Sequence, residues 1–164
     1  MKLRCKPSYD FQAPEEGLSS GGQTKTCSAL LSGPILLTIG PVISVIDDDA
    51  SVRMAIRNLV KSLGYVVHVF PSAEAFLASP QLDETWCAIA DVRMPGMSGV
   101  DLQAHLRTQG NSVPFIFITA VPDERIRERA LKDGGTCFLS KPFDESILIK
   151  CLTRAVERPR EISN

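Results

Sequence analysis

Residues 42–49 read VISVIDDD, a run of aliphatic residues that ends in three carboxylates. A short apolar run of this composition, bounded by polar residues, is typical of a β-strand that is buried on both faces. Similar runs follow at 66–70, 87–91, 115–119 and 136–140. The opening stretch therefore predicts the first strand of a buried sheet, over 42–47, with acidic residues at its carboxyl end.

Between these runs, apolar residues recur at the spacing of amphipathic helices, as Ile56, Leu59 and Leu63 do in the first interval. A similar pattern, with Leu148 and Leu152, closes the region. Five strands alternating with five helices predict an α/β fold, a doubly wound five-stranded parallel sheet with right-handed crossovers. Ligands of such sheets bind at the carboxyl ends of the strands. Polar residues at those ends are the first candidates for a functional site.

The domain organisation follows from where this alternation begins and ends. At 164 residues, the chain has room for one core and some surplus. Residues 1–40 are rich in Ser, Gly, Pro and Thr without sustained periodicity, which predicts a mostly disordered extension. A short docking segment within 29–37 is the alternative. We expect one folded domain over 41–158 and a tail or linker stub over 159–164.

Charge and composition exclude several classes of function. The formal net charge is -1, which gives no long-range attraction to nucleic acid or to an anionic membrane. Residues 28–46 carry no charge, but Gly33, Pro34, Gly40 and Pro41 interrupt them, so we expect no membrane span. The amino-terminal residues do not resemble a secretory signal. We therefore expect a cytoplasmic protein that makes no direct contact with nucleic acid.

The five cysteines are scattered and contain no C-x-x-C pair. An odd number of cysteines within apolar segments suits a reducing compartment. We expect all five to be free thiols.

Carboxylates should meet where the first and third strands end. Asp47 and Asp48 follow the first run, and Asp91 ends the third. Strand-terminal aspartates taken singly more often cap helices, and Asp49 is expected to cap the helix that opens at Ala50. Several carboxylates at one edge repel one another unless a cation neutralises them, and their hard oxygen ligands suit Mg²⁺. The sequence therefore predicts a magnesium site that also binds phosphate.

Two further side chains are predicted at the same edge. Thr119 ends the fourth run, and Lys141 follows the fifth. Each taken alone reads as an ordinary strand or surface residue. Together, a hydroxyl donor and a compact ammonium can bind phosphoryl oxygens and stabilise the charge of a transferring phosphoryl group.

The chain resembles the receiver domain of two-component response regulators, a flavodoxin-like fold. Four stretches carry the resemblance: VIDDD at 45–49, DVRMPGMSG at 91–99, ITA at 118–120 and FLSKPF at 138–143. The resemblance extends over about 41–158. Within that family, SAEAFL at 72–77 is most similar to FixJ-type receivers, which usually precede a DNA-binding domain. No such domain follows here, so the resemblance implies a stand-alone receiver, a truncated product or an excised domain.

The resemblance implies a role for each residue of the acidic edge. Asp91 would accept a phosphoryl group from a sensor histidine kinase, forming an aspartyl phosphate. Asp48 would bind Mg²⁺ directly and Asp47 mostly through water, while a carboxylate oxygen of Asp91 and the backbone carbonyl of Arg93 complete the protein ligands. Lys141 would pair with the phosphate.

The resemblance also implies that the bond between Lys141 and Pro142 is cis, and that Thr119 and Phe138 form a conformational switch. Thr119 would move toward the phosphoryl group, and Phe138 would turn inward. The output surface would comprise the fourth helix, the fifth strand and the fifth helix, and could support a homodimer. Val121 cannot hydrogen-bond to an attacking water, which predicts a long-lived phosphorylated state.

Two alternatives remain open. Magnesium-dependent phosphatases of the haloacid-dehalogenase type also use an aspartate nucleophile on a doubly wound sheet. They differ in carrying a D-x-D motif after the first strand and a cap domain. A receiver-like module that only mediates contacts would lack the phosphorylation chemistry. Because Asp47, Asp48, Asp91, Thr119 and Lys141 are all present, we expect a phosphoprotein of a phosphorelay, without an enzymatic activity on a separate substrate.

Overall fold

The structure, a computed structural model, describes residues 40–157. The expected extension over 1–40, apart from its last residue, and the expected tail over 159–164 lie outside the described residues. The strands are β1 (Val42–Ile46), β2 (Val66–Phe70), β3 (Thr85–Asp91), β4 (Phe115–Thr119) and β5 (Cys137–Ser140). The helices are α1 (Ala50–Ser62), α2 (Ala73–Leu77), α3 (Gly99–Thr108), α4 (Glu124–Lys132) and α5 (Glu145–Val156), with a 3₁₀ turn at Pro80–Leu82.

All five strands pair in parallel, in the order β2-β1-β3-β4-β5. This confirms the predicted doubly wound sheet. The strand order reverses direction between β1 and β3, so their carboxyl ends flank the crevice in which such sheets bind ligands. Asp47 lies one residue beyond β1 rather than within it, and its carboxylate accepts the amide N–H of Asp49 at 2.8 Å.

Two apolar clusters cover the two faces of the sheet. On one face, which α2, α3 and α4 cover, the cluster includes the phenylalanines Phe76, Phe115 and Phe117. On the other face, aliphatic residues pack against α1 and α5, among them Ile43 and Leu152. Burial on both faces explains why the central strands are nearly continuous apolar runs.

Local capping sets where the helices begin. The Asp49 carboxylate accepts the amide N–H groups of Ser51 and Val52, which confirms its predicted capping role. Ser98 caps α3 in the same way, through the amide of Asp101. Within residues 40–157, no helix is both long and apolar enough to cross a membrane.

The expectation that every cysteine is a free thiol is wrong for two of them. Cys137 on β5 and Cys151 on α5 form a disulfide. Their Cα atoms are 6.0 Å apart, within the usual disulfide range, and both residues pack in the aliphatic cluster on one face of the sheet. A search for closely spaced cysteines misses such a pair, which meets only through tertiary packing. Cys87 is buried and free, whereas Cys5 and Cys27 lie outside the described residues.

Candidate functional site

An acidic cluster lies at the carboxyl ends of β1 and β3, as the sequence predicts. Asp47, Asp48 and Asp91 each present one carboxylate oxygen, and these oxygens all lie within 4.8 Å of one another. Asp47 and Asp91 are buried, whereas Asp48 is exposed. The cluster is thus open to solvent on the side of Asp48.

Lys141 bridges the two buried carboxylates. Its Nζ donates to Oδ2 of Asp91 at 2.8 Å and to Oδ2 of Asp47 at 3.0 Å. The side chains are 20%, 11% and 1% exposed, in the order Lys141, Asp91 and Asp47. Solvent therefore screens these ion pairs far less than it screens an ordinary surface pair.

The pKa shifts follow from this arrangement. Burial raises the pKa of Asp47, and the hydrogen bonds from Lys141 and from the amide of Asp49 only partly oppose the rise. Burial alone would lower the pKa of Lys141, but its hydrogen bonds to Asp91 and Asp47 and their negative charges outweigh burial and raise it. The ammonium therefore stays charged and holds two carboxylates together that would otherwise repel each other.

The donor set fits Mg²⁺. Three carboxylates with oxygens within 4.8 Å of one another offer the hard ligands that this cation prefers. One ammonium balances only part of their charge, so a divalent cation would complete the neutralisation. The residues that would hold it are Asp47, Asp48 and Asp91, and the backbone carbonyl of Arg93 remains a predicted ligand.

The loop after β3 is held tightly around Asp91. The backbone amide of Arg93 donates to Oδ1 of Asp91 at 2.9 Å, leaving Oδ2 to Lys141. A Cβ on Gly99 would overlap the backbone carbonyl oxygen of Asp91, so only glycine fits where α3 begins. The peptide bond between Lys141 and Pro142 is cis.

Thr119 does not join the ion-paired group through its hydroxyl. Its Oγ1 donates to the backbone carbonyl of Val121 at 3.1 Å and accepts the Val121 amide at 3.2 Å. Phe138 is half-buried on β5, and its ring centroid lies 6.2 Å from that of Phe117. The predicted switch residues therefore lie on the adjacent strands β4 and β5, with the hydroxyl engaged by its own loop.

Two residues that support the site were not predicted. Arg53 on α1 donates from Nη1 to the backbone carbonyls of Asp47 at 2.6 Å and Asp48 at 3.3 Å. Glu74 on α2 accepts the amide of Met97 at 2.9 Å, which ties α2 to the loop after β3. Hydrogen bonds to its own backbone amide and to that of Met97 lower the pKa of Glu74. Arg53 lies one turn into α1, a position from which a side chain can reach the residues just before the helix, so its contact could have been predicted. No sequence spacing indicates the contact of Glu74 with Met97.

The predicted output surface is largely polar. On α4, Arg127 pairs with Glu124 at 2.7 Å, and Arg129 reaches Asp101 of α3 at 3.3 Å. The exposed large hydrophobic residues include Val121 before α4 and Ile147 on α5. The predicted homodimer through this surface remains a prediction.

Residues 43–153 match the response regulator receiver domain. Nodulation protein W of Bradyrhizobium diazoefficiens is 41% identical over 120 residues, which cover 73% of this chain and 53% of that protein. Response regulator protein TodT of Pseudomonas putida is 40% identical over 124 residues, covering 75% and 55%. Transcriptional regulatory protein FixJ of Bradyrhizobium diazoefficiens is 37% identical over 117 residues, covering 71% and 57%. The chain spans about half the length of the curated relatives it matches.

Solved structures agree with these sequence matches. The response regulator StyR is 40% identical with a TM-score of 0.67, covering 72% of this chain and 60% of that one. The crystal structure of FixJ-N is 32% identical with a TM-score of 0.67, covering 74% of this chain and 98% of that one. Chemotaxis protein CheY4 of Vibrio cholerae is 26% identical with a TM-score of 0.64, covering 71% and 98%.

Proposed function

Because the chain belongs to the response regulator receiver domain family, as its resemblance to FixJ-type receivers predicted, we propose that it is a phosphorylation switch of a two-component phosphorelay. Asp91 accepts the phosphoryl group from a sensor histidine kinase. The observation that carries this proposal is the contact of the Lys141 ammonium with both Asp91 and Asp47 inside the acidic cluster. A cation held against a carboxylate nucleophile suits phosphoryl transfer, because its catalysis is mostly positioning and charge stabilisation.

In the transfer step, a carboxylate oxygen of Asp91 forms a bond to phosphorus. The bond between phosphorus and the kinase histidine nitrogen breaks, and that nitrogen keeps the electron pair. Lys141 exchanges its contact with the carboxylate for contacts with the phosphoryl oxygens. Mg²⁺, when bound, neutralises charge on the transferring group and on the carboxylates. Asp48 would bind it directly, Asp47 mostly through water, and Asp91 and the carbonyl of Arg93 would complete the protein ligands.

The response to phosphorylation would begin at Thr119. Its hydroxyl leaves the backbone of Val121 for a phosphoryl oxygen, and Phe138 packs inward beside Phe117. Phosphorylation biases this two-state element because the phosphoryl group contacts only one of its states. The face formed by α4, β5 and α5 would then present a different surface to a second copy or to another partner.

The site is cytoplasmic in this proposal, since histidine kinases transfer phosphoryl groups there. The protein assists its own phosphorylation and dephosphorylation and acts on no separate substrate. The matched relatives include transcriptional regulators of about twice the matched length, so the output of this chain is proposed only as the change in its own surface.

The proposal is tested by incubating the full chain with acetyl phosphate, with Mg²⁺ or with a chelator, and measuring the intact mass. A phosphoryl adduct that forms only with Mg²⁺ is the expected result. Folded protein that forms no adduct under either condition would favour the contact module instead. Continuous turnover of a generic phosphate ester would favour the phosphatase.

A further inference from the structure

The disulfide between Cys137 and Cys151 joins two elements of the proposed output face. Cys137 is the first residue of β5, and Cys151 lies in the middle of α5. Both pack within the aliphatic cluster on the α1 and α5 side of the sheet, beside Leu148 and Leu152. The bond therefore fastens α5 to the edge strand β5.

The two cysteines of this pair differ in exposure. Cys137 is half-buried on the edge of the sheet, whereas Cys151 is only 6% exposed. Thiol exchange needs one sulfur that a reagent can reach and a second close enough to resolve the mixed disulfide. Cys87 differs from both, because it is fully buried and its burial raises the pKa of its thiol. It lies on β3, which β4 separates from Cys137 on β5.

The bond lies directly beside the proposed switch. Cys137 packs on the α5 side of β5, and the next residue, Phe138, packs on the opposite face with Phe117. Lys141 follows the same strand, within the 14-residue separation that the disulfide closes. A covalent link at Cys137 thus lies one residue from the proposed switch side chain, on the strand that carries it.

We propose that Cys137 and Cys151 are a reversible redox modification site, oxidised by a low-molecular-weight disulfide such as glutathione disulfide, and that its oxidation restrains the phosphorylation-dependent movement of β5 and α5. The Cys137 thiolate attacks one sulfur of the reagent and releases a thiolate. The Cys151 thiolate then attacks Cys137 in the mixed disulfide and releases the second. Two protein thiols are oxidised, the reagent disulfide is reduced to two thiols, and those take up the two protons.

The redox site is tested on the full chain in buffers that range from reduced to oxidised glutathione. Peptide mapping follows the linked Cys137–Cys151 peptide, with Cys5 and Cys27 replaced by serine to exclude other pairings. This chain and its Cys87→Ala variant should interconvert reversibly between the linked and unlinked forms, and its Cys137→Ser variant should give no linked peptide. Absence of the linked peptide in every buffer, or its persistence on folded protein under a large excess of reduced glutathione, would overturn the proposal.

The restraint on movement rests on the proposed function and has its own readout. Amide hydrogen exchange of β5 and α5 is compared before and after acetyl phosphate treatment, in the oxidised and reduced chains. The phosphorylation-linked change should be several-fold smaller in the oxidised chain and insensitive to oxidant in Cys137→Ser. Equal changes in both forms would overturn the restraint. Failure of both forms to take up a phosphoryl group would overturn the proposed function. The peptide mapping tests the redox site independently of that outcome.

Discussion

Two neighbouring regions of this molecule differ in whether their side chains already make the contacts that the proposed function needs. At the ends of β1 and β3, Asp47 and Asp91 already contact Lys141, and the backbone around them is fixed by hydrogen bonds. At the ends of β4 and β5, the Thr119 hydroxyl is bonded to its own loop, and Phe138 is only half-buried. The charged side chains of the first region are already in contact, while the second region has contacts that can be exchanged.

This difference assigns separate tasks to the two regions. A preorganised cluster reacts without reorganisation, because its charges are already placed. A residue with two alternative partners can report whether the reaction has occurred, provided that the new partner binds it more favourably. Under the proposed function, variants in the first or acceptor region (Asp47, Asp91 and Lys141) should affect phosphorylation itself. Variants in the second or switch region (Thr119 and Phe138) should affect only its consequences.

Apart from replacement of Asp91 itself, the largest effect in the acceptor region is expected from Lys141→Ala. Loss of the ammonium leaves Asp47 and Asp91 to repel each other, raises the pKa of Asp47 further and removes a contact to the phosphoryl group. Phosphorylation by acetyl phosphate should slow by about a hundredfold, the usual cost of losing one stabilising donor. The matched control, Lys150→Ala, removes an exposed lysine of α5 and should leave the rate unchanged. Equal rates in the two variants would refute the role given to Lys141.

The next largest effect is expected from Gly99→Ala, at the first residue of α3. The added methyl overlaps the carbonyl oxygen of Asp91, so the acceptor strand must shift. Overpacking of this kind costs about 1–3 kcal/mol of the free energy of unfolding, measured by urea denaturation, and phosphorylation should slow as well. Gly110→Ala, at the other end of α3, has φ +79 and no neighbouring atom within 4 Å of the added methyl. It should cost about 1–2 kcal/mol with no change in phosphorylation; a change there would show that stability alone controls the rate.

Thr119→Val tests whether the switch region acts separately from the acceptor region. This variant keeps the shape of the side chain and removes the hydroxyl, so adduct formation should stay within a few-fold of wild type. The phosphorylation-linked change in hydrogen exchange of β5 should disappear, and Thr119→Ser, which retains the hydroxyl, should preserve it. A wild-type exchange response in the valine variant would place the switch elsewhere.

The smallest effect is expected at Val121→Asn. Val121 is 50% exposed beside the site, and its apolar side chain cannot orient a water for attack on the phosphoryl group. An amide should shorten the adduct lifetime several-fold, measured after acetyl phosphate is removed. Ile147→Asn places the same amide at an exposed apolar position on α5 and should not change the lifetime. A wild-type adduct that lasts only seconds in Mg²⁺ would contradict the predicted long-lived state.

The sequence predicted the sheet because its strands are apolar runs, and the central strands β1, β3 and β4 are almost entirely buried. It also predicted that Asp47, Asp48 and Asp91 converge, since parallel strands bring their carboxyl ends to one edge. It could not predict the partner of the Thr119 hydroxyl, which depends on the path of the loop through Val121. The Cys137 disulfide was missed for a related reason, because its partner comes close only when α5 packs against that face of the sheet.

The central claim is that Asp91, rather than another carboxylate, receives the phosphoryl group. The most direct test is the intact mass of the wild type, Asp91→Asn and Asp101→Asn after acetyl phosphate treatment in Mg²⁺. Asp101 is an exposed carboxylate on α3, outside the acidic cluster. The adduct should form on the wild type and on Asp101→Asn and be absent from folded Asp91→Asn. An adduct of equal yield on Asp91→Asn would contradict the account.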